Sequence, residues 1–207
     1  CYTIALAIYT LHYIPVLDFT PYRIGVNMRA AFDNPEQAEA ERLPVNFYVA
    51  DTQTGDDLTW EILADTSYTF LLTVPRTETA DDGCCDRINS LYDSCQDRRY
   101  AFCMLTASDS AGCADWKDRT GAAYPIYMAE DTEIRAMVRS NPGLMLLKDG
   151  RLVWKWGNNE LPDPYVRGNN VAQWFTPSGA APLLRLVLWF LIPLLLVVII
   201  DNVLVGT

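Results

Sequence analysis

The two ends of this chain are apolar, and the stretch between them mixes apolar runs with charge. From Leu186 to Ile200 no charged residue occurs, and Leu183 and Leu184 carry the apolar character past Arg185. That makes roughly 18 residues, the length that crosses a hydrocarbon core of about 30 Å. Arg185 can snorkel to the headgroups at one end, Asp201 closes the other, and Pro193 is tolerated in a membrane helix. The pattern predicts a transmembrane helix over 182–201. A buried core helix is the alternative, but such helices are usually shorter and show a polar edge. Cys1 to Leu17 is also apolar and uncharged. It is slightly short for a span, and it lacks the basic start and small-residue cleavage site of a signal peptide. It reads as the end of a membrane helix that begins upstream, with an N-terminal core strand or helix as the alternative.

The middle of the chain alternates strand-like and helix-like patterns. Residues 18–43 read as a juxtamembrane segment, with a short Ala/Glu-rich helix between Met28 and Arg42. Pro44 to Ala50 alternates as a strand, and Asp51-Thr-Gln-Thr-Gly-Asp56 supplies turn residues before Leu58 to Leu63. Tyr68 to Val74 and Tyr100 to Leu105 are short apolar runs of the kind buried on both sheet faces. Between them Asp81 and Asp82 are placed to cap a helix bearing Ile88, Leu91, Tyr92 and Cys95 at helical spacing. Ser108, Asp109 and Ser110 can cap a second helix carrying Trp116. A brief strand over 124–128 and a short helix over 132–139 follow. Gly143 to Lys148 and Arg151 to Trp156 flank Asp149-Gly150, a strong hairpin signal. Residues 158–181 form a polar linker to the last helix.

Charge and composition narrow the chemistry. Asp and Glu number 26 against 16 Lys and Arg, and nearly all the excess falls between the two apolar ends. Such a surface repels phosphate backbones, so nucleic acid is excluded as a partner. The only histidine, His12, lies in the N-terminal apolar segment. The central region therefore builds neither a Ser-His-Asp site nor a His-ligated metal centre. The six cysteines fit no zinc spacing, and no cofactor is expected.

The order of elements resembles the thioredoxin superfamily over Pro44 to Trp156, and within it the peroxiredoxin-like and membrane-tethered thiol–disulfide branches. Phe47 to Thr59 resembles their leading hairpin. Leu105-Thr-Ala-Ser-Asp109 sits where a strand runs into a Ser-x-Asp-type loop, and Tyr124-Pro-Ile126 matches a "YPV"-like strand. Asn141-Pro-Gly-Leu-Met-Leu-Leu-Lys-Asp-Gly-Arg-Leu-Val153 resembles the cis-proline strand and its hairpin. The resemblance implies a three-layer α/β/α sandwich over 44–157, with a cis bond before Pro142. It also places Asn141 and Pro142 beside the Glu78 to Cys85 region. The whole arrangement, with Leu17 to Gly25 and Trp189-Phe-Leu-Ile-Pro-Leu194, is similar to bacterial DoxX-family membrane proteins. There the appended domain faces the periplasm. That implies an inner-membrane location, with the bilayer and other membrane or periplasmic proteins as partners.

The departure from that family concerns its chemistry. Redox-active members place Cys-x-x-Cys after the first buried strand, where the helix dipole lowers the nucleophile's pKa and the second thiol resolves the mixed disulfide. Here Thr73-Val-Pro-Arg-Thr-Glu-Thr-Ala-Asp-Asp-Gly83 contains no cysteine. Cys84 and Cys85 follow side by side, with Cα atoms about 3.8 Å apart, below the usual disulfide span of about 4.4–6.8 Å. Asp81, Asp82 and Asp86 surround them and oppose thiolate formation. Cys95 lies about 15 Å along the same helix, too far to resolve either. Cys103 falls in a buried strand, and Cys113 has no near partner in sequence. Cys84 and Cys85 thus remain weak catalytic candidates. Two functions stay open: a redox-silent module for partner binding or organisation, and a thiol–disulfide oxidoreductase or peroxidase using Cys84 or Cys85. Trp154 and Trp156 share one strand face, either as a stacking platform or as cover for the sheet.

Overall fold

A computed structural model describes residues 20–44, 46–167 and 170–174, together with Leu188, Leu191 and Ile192. The expected span over 1–17, and that over 182–201 apart from those three residues, lie outside the described residues. Leu188, Leu191 and Ile192 are helical and exposed. No helix among the described residues is long and apolar enough to cross a membrane. The chain divides into two compact units, Cys1–Val171 and Ala172–Thr207, and the fold below is that of the first.

Six strands form one sheet in the order β1-β4-β3-β2-β5-β6. They are β1 (Ala50–Asp51), β2 (Tyr68–Val74), β3 (Ala101–Thr106), β4 (Ile126–Met128), β5 (Gly143–Lys148) and β6 (Arg151–Gly157). β2, β3 and β4 run parallel, whereas β5 is antiparallel to β2, β6 to β5 and β1 to β4. The helices are α1 (Met28–Asp33), α2 (Pro35–Ala40), α3 (Thr59–Ala64), α4 (Cys85–Arg98), α5 (Ser110–Thr120), α6 (Asp131–Met137) and α7 (Pro164–Arg167). A parallel strand–helix–strand unit followed by an antiparallel hairpin, entered through a cis Asn141–Pro142 bond, is the thioredoxin-like arrangement.

The central strands bury both faces, which explains why their sequences run apolar without alternation. On one face Phe102 and Tyr124 meet Tyr92 of α4, with ring centroids 5.3–5.8 Å apart, and Phe70 stacks on Phe102 at 6.4 Å. Trp116 of α5 is fully buried beside them and donates its Nε1–H to the Tyr124 hydroxyl at 3.1 Å. On the other face Leu71, Cys103, Leu105, Met145 and Leu147 pack with Ile62 and Leu63 of α3 and Ile134 and Met137 of α6. Tyr22, Val26 and Met28 belong to that same buried cluster. The segment that reads as a membrane exit is therefore built into the domain: Gly25 and Val26 exchange backbone hydrogen bonds with Leu152 on the edge of β6.

Local chemistry accounts for where the elements differ from expectation. The Met28–Arg42 helix is two short helices, because Asn34-Pro35 ends one and starts the next with proline in its first turn. The strand expected over 44–50 shrinks to Ala50–Asp51, and Leu58 to Leu63 is largely helix. A tight loop, closed by Leu58 N–H on Val49 C=O at 2.9 Å, ends with Asp57 Oδ1 accepting the Thr59 N–H at 2.9 Å. The carboxylate holds a first-turn amide that no intrahelical acceptor reaches. The hairpin turn after β5 places both Asp149 and Gly150 at positive φ, 52° and 67°, as a two-residue turn matched to strand twist requires.

Candidate functional site

The C-terminal ends of β2 and β3 carry the loops on which the thiol chemistry of such a fold would stand. After Val74, Pro75 is followed by a single 3-10 turn, Thr77–Thr79, and α4 starts only at Cys85. Neither Asp81 nor Asp82 caps α4 by its side chain. The Asp81 carboxylate instead accepts the Gly83 N–H at 3.0 Å, and the Asp82 carbonyl accepts the Cys85 N–H. The N-cap position falls on Cys84, two residues after Asp82, so neither carboxylate stands where a cap would. By contrast Asp109 caps α5 as expected, accepting the Gly112 N–H at 2.8 Å.

This loop is stitched to its surroundings on two sides. On the first, the Asp81 N–H donates to Asn141 C=O at 3.1 Å. Asn141 Nδ2 donates to Arg76 C=O and Thr79 Oγ1, both at 3.2 Å, and Asn158 Nδ2 donates to the Asp81 carboxylate at 2.9 Å. Asn141, the residue before the cis bond, thus neighbours the Glu78 to Cys85 region. On the second side Ser108 Oγ accepts from the Thr77 N–H at 2.9 Å. Arg119 of α5 reaches across to Asp82 at 3.2 Å and donates to Thr77 C=O at 3.0 Å, while pairing with Asp115 on its own helix. A Cβ at Gly112 would sit 2.8 Å from both Glu78 Oε1 and Thr77 Oγ1, so only glycine lets the loop lie this close to α5.

The thiols sit badly for redox work. Cys84, half-buried, donates its S–H to Asp81 C=O at 3.5 Å. Burial first, then the Asp81 charge, push it up to about 11, with Arg87 opposing and Asp82 adding to the rise. Cys85 is buried, and burial followed by the charges of Cys84 and Asp82 push it to about 12, against the opposing pull of Arg119. Burial also raises Cys95 and Cys103, each to about 12. Cys113 is raised mainly by burial, and its S–H faces Ser108 C=O at 3.8 Å. Cys84, Cys85, Cys95, Cys103 and Cys113 are all free thiols, and no His, Cys, Asp and Glu group among the described residues is arranged to hold a metal.

Trp154 and Trp156 lie on β6, opposite Leu146 and Leu144. Trp156 is buried and Trp154 half-buried. Sequence reasoning did not single out Arg119 or Asn158. Arg119 reads as one more solvated charge on a helix, and Asn158 as a linker residue. Only the fold reveals that both grip the loop after β2.

No family model matches the chain, and no curated protein matches it. Among solved structures it is similar to peroxiredoxin 5 from Alvinella pompejana, at 12% identity over 67% of this chain and 91% of that one, with a TM-score of 0.47. It is also similar to a secreted Mycobacterium tuberculosis disulfide oxidoreductase homologous to E. coli DsbE, at 14% identity over 52% and 81% of the two chains, with a TM-score of 0.40. A third is the Xanthomonas campestris bacterioferritin comigratory protein, at 12% identity over 53% and 79%, with a TM-score of 0.39. The strand order and connections of this chain themselves define its thioredoxin-like arrangement.

Proposed function

We propose that this chain is a redox-silent thioredoxin-like module, tethered to a bacterial inner membrane with its domain on the periplasmic side. Its role is to bind or organise a partner protein within a DoxX-like membrane protein. One observation carries the redox-silent part. At the start of α4, where a nucleophilic thiol would profit from the helix dipole, the loop presents Asp81 and Asp82, and burial and charge hold Cys84 and Cys85 as thiols. Only the thiolate attacks a disulfide or a peroxide. The tether is supported by the uncharged run from Leu186 to Ile200.

The purified chain should neither accelerate insulin reduction by dithiothreitol nor consume peroxide, and a Cys84→Ser, Cys85→Ser double variant should leave the host protein's function intact. Turnover that disappears in either single variant would refute the reading. Protease added to intact spheroplasts should digest the domain, and protection until lysis would place it on the cytoplasmic side. The second reading, an oxidoreductase or peroxidase, draws on the half-exposed position of Cys84 at a helix start. It requires the opposite result in the turnover assays.

A further inference from the structure

A cavity of about 420 Å³ opens at the other end of the strands, between α3, the C-terminal end of α4 and the start of β3. Its size lies in the range of small-ligand sites, which run from about 300 Å³ upward. Pro125 is among the residues that line it. β4 joins β3 only from Ile126, opposite Met104, and the Met104 N–H donates to Pro125 C=O at 2.9 Å. Farther along, the Ala129 N–H donates to Thr106 C=O, so alternate residues of β3 turn their backbone groups toward β4. By that alternation Phe102 does the same. The residue placed to donate to its carbonyl is Pro125, which has no N–H. The ladder stops there, so the Phe102 carbonyl has no donor on β4, and Phe102 and Pro125 both line the cavity.

The remaining lining has one sign of charge. Glu61 and Asp65 approach from α3 and its end, and no Lys or Arg lines the cavity. The Asp65 carboxylate is held by the Ser67 N–H at 2.7 Å and the Thr69 hydroxyl at 3.1 Å. Glu61 makes no ion pair among the described residues. Tyr127 and Tyr100 also line the cavity, the Tyr100 ring packing against Tyr68 at 5.3 Å, and Leu58 and Ile62 are its apolar members. Burial first, and then Cys103, Asp51 and Glu61, raise the Tyr127 pKa above the ordinary tyrosine value, so its hydroxyl is neutral.

We propose that this cavity binds a monovalent organic cation, an ammonium group carried on an apolar or aromatic body. An ammonium offers three donors, which match the Glu61 carboxylate, the Phe102 carbonyl and the Tyr127 hydroxyl. The body lies against Leu58, Ile62 and the tyrosine rings, where cation–aromatic attraction adds to burial. An anion of the same shape meets two carboxylates and no counter-charge.

Calorimetric titration of the full chain with phenethylammonium, and separately with phenylacetate, tests this. Saturable binding of the cation and none of the anion is expected. Glu61→Gln, an exposed position, should weaken binding by about two- to five-fold, and Ala101→Trp, at the exposed lip, should abolish it. Acetyl-phenylalanyl-lysine amide serves as a second probe. Tighter binding than phenethylammonium assigns the cation to a protein side chain, weaker binding to a free amine, and either outcome upholds the site. Absence of saturable cation binding, equal uptake of phenylacetate, or unchanged affinity in Glu61→Gln overturns the proposal. So does unchanged affinity in a folded Ala101→Trp, and Glu61→Gln decides alone should that variant fail to fold.

Discussion

The backbone N–H of Asp81 donates to the backbone carbonyl of Asn141 at 3.1 Å, and Asn158 Nδ2 reaches the Asp81 carboxylate at 2.9 Å. One residue thereby closes the loop after β2 onto the loop before β5 and sets a negative charge beside Cys84. Closure and charge both act against a reactive thiol at this position.

The charge of Asp81 can be removed with its shape retained. Asp81 is the largest electrostatic contributor to the raised pKa of Cys84, second only to burial. Asp81→Asn should therefore lower the Cys84 pKa below its wild-type value near 11, read as an earlier rise of alkylation rate with pH. An unchanged profile would show that burial alone sets it.

Gly143 begins β5 in a space with no room for a methyl group. A Cβ there would lie 2.5 Å from Val138 Cγ1 and 2.8 Å from Thr73 Oγ1. Gly143→Ala should destabilise the domain by about 1–3 kcal/mol, the usual cost of overpacking a core. Adding Val138→Ala should recover part of that loss in urea denaturation. No recovery would mean that the backbone, and not Val138, resists the methyl group.

How far the sequence prepared for this structure differs by region. The strands β2, β3 and β5, the Asp109 cap and the Asp149-Gly150 turn were all legible, because each rests on a local rule about burial, capping or positive φ. The burial of Tyr22, Val26 and Met28 was not. Their segment is punctuated by Pro21 and Gly25 and gains its packing only from β6, more than a hundred residues later. The helical state of Thr59–Ala64 was missed for a related reason: six residues carry too few turns to show a period. At the site, the absence of Cys-x-x-Cys could be read directly. The grip of Arg119 and Asn158 on the loop could not, since it depends on contacts across 42 and 77 positions.

Tyr22 makes stability sensitive to alkali. Its hydroxyl donates to Glu133 Oε2 at 2.6 Å, and burial first, then that hydrogen bond and charge, raise its pKa well above the ordinary tyrosine value. The unfolded chain loses this proton near pH 10, while the folded chain keeps it. The contribution of Tyr22 is thus complete below about pH 10 and is lost as pH climbs from there toward the folded pKa. Tyr22→Phe should lower stability at pH 7 through the lost hydrogen bond. It should also make the fall above pH 10 shallower by up to about 1.4 kcal/mol per pH unit. An equally steep fall in both proteins would contradict this.

The rate of Cys84 alkylation against pH reads whether this thiol is held unreactive, because the thiolate is the species that reacts. With Cys1, Cys85 and Cys113 replaced by Ser to isolate the signal, and Cys95 and Cys103 buried, the expected midpoint lies far above that of an ordinary cysteine, near 11. A midpoint at or below about 8.5, abolished by Cys84→Ser, would contradict it and return the site to thiol chemistry.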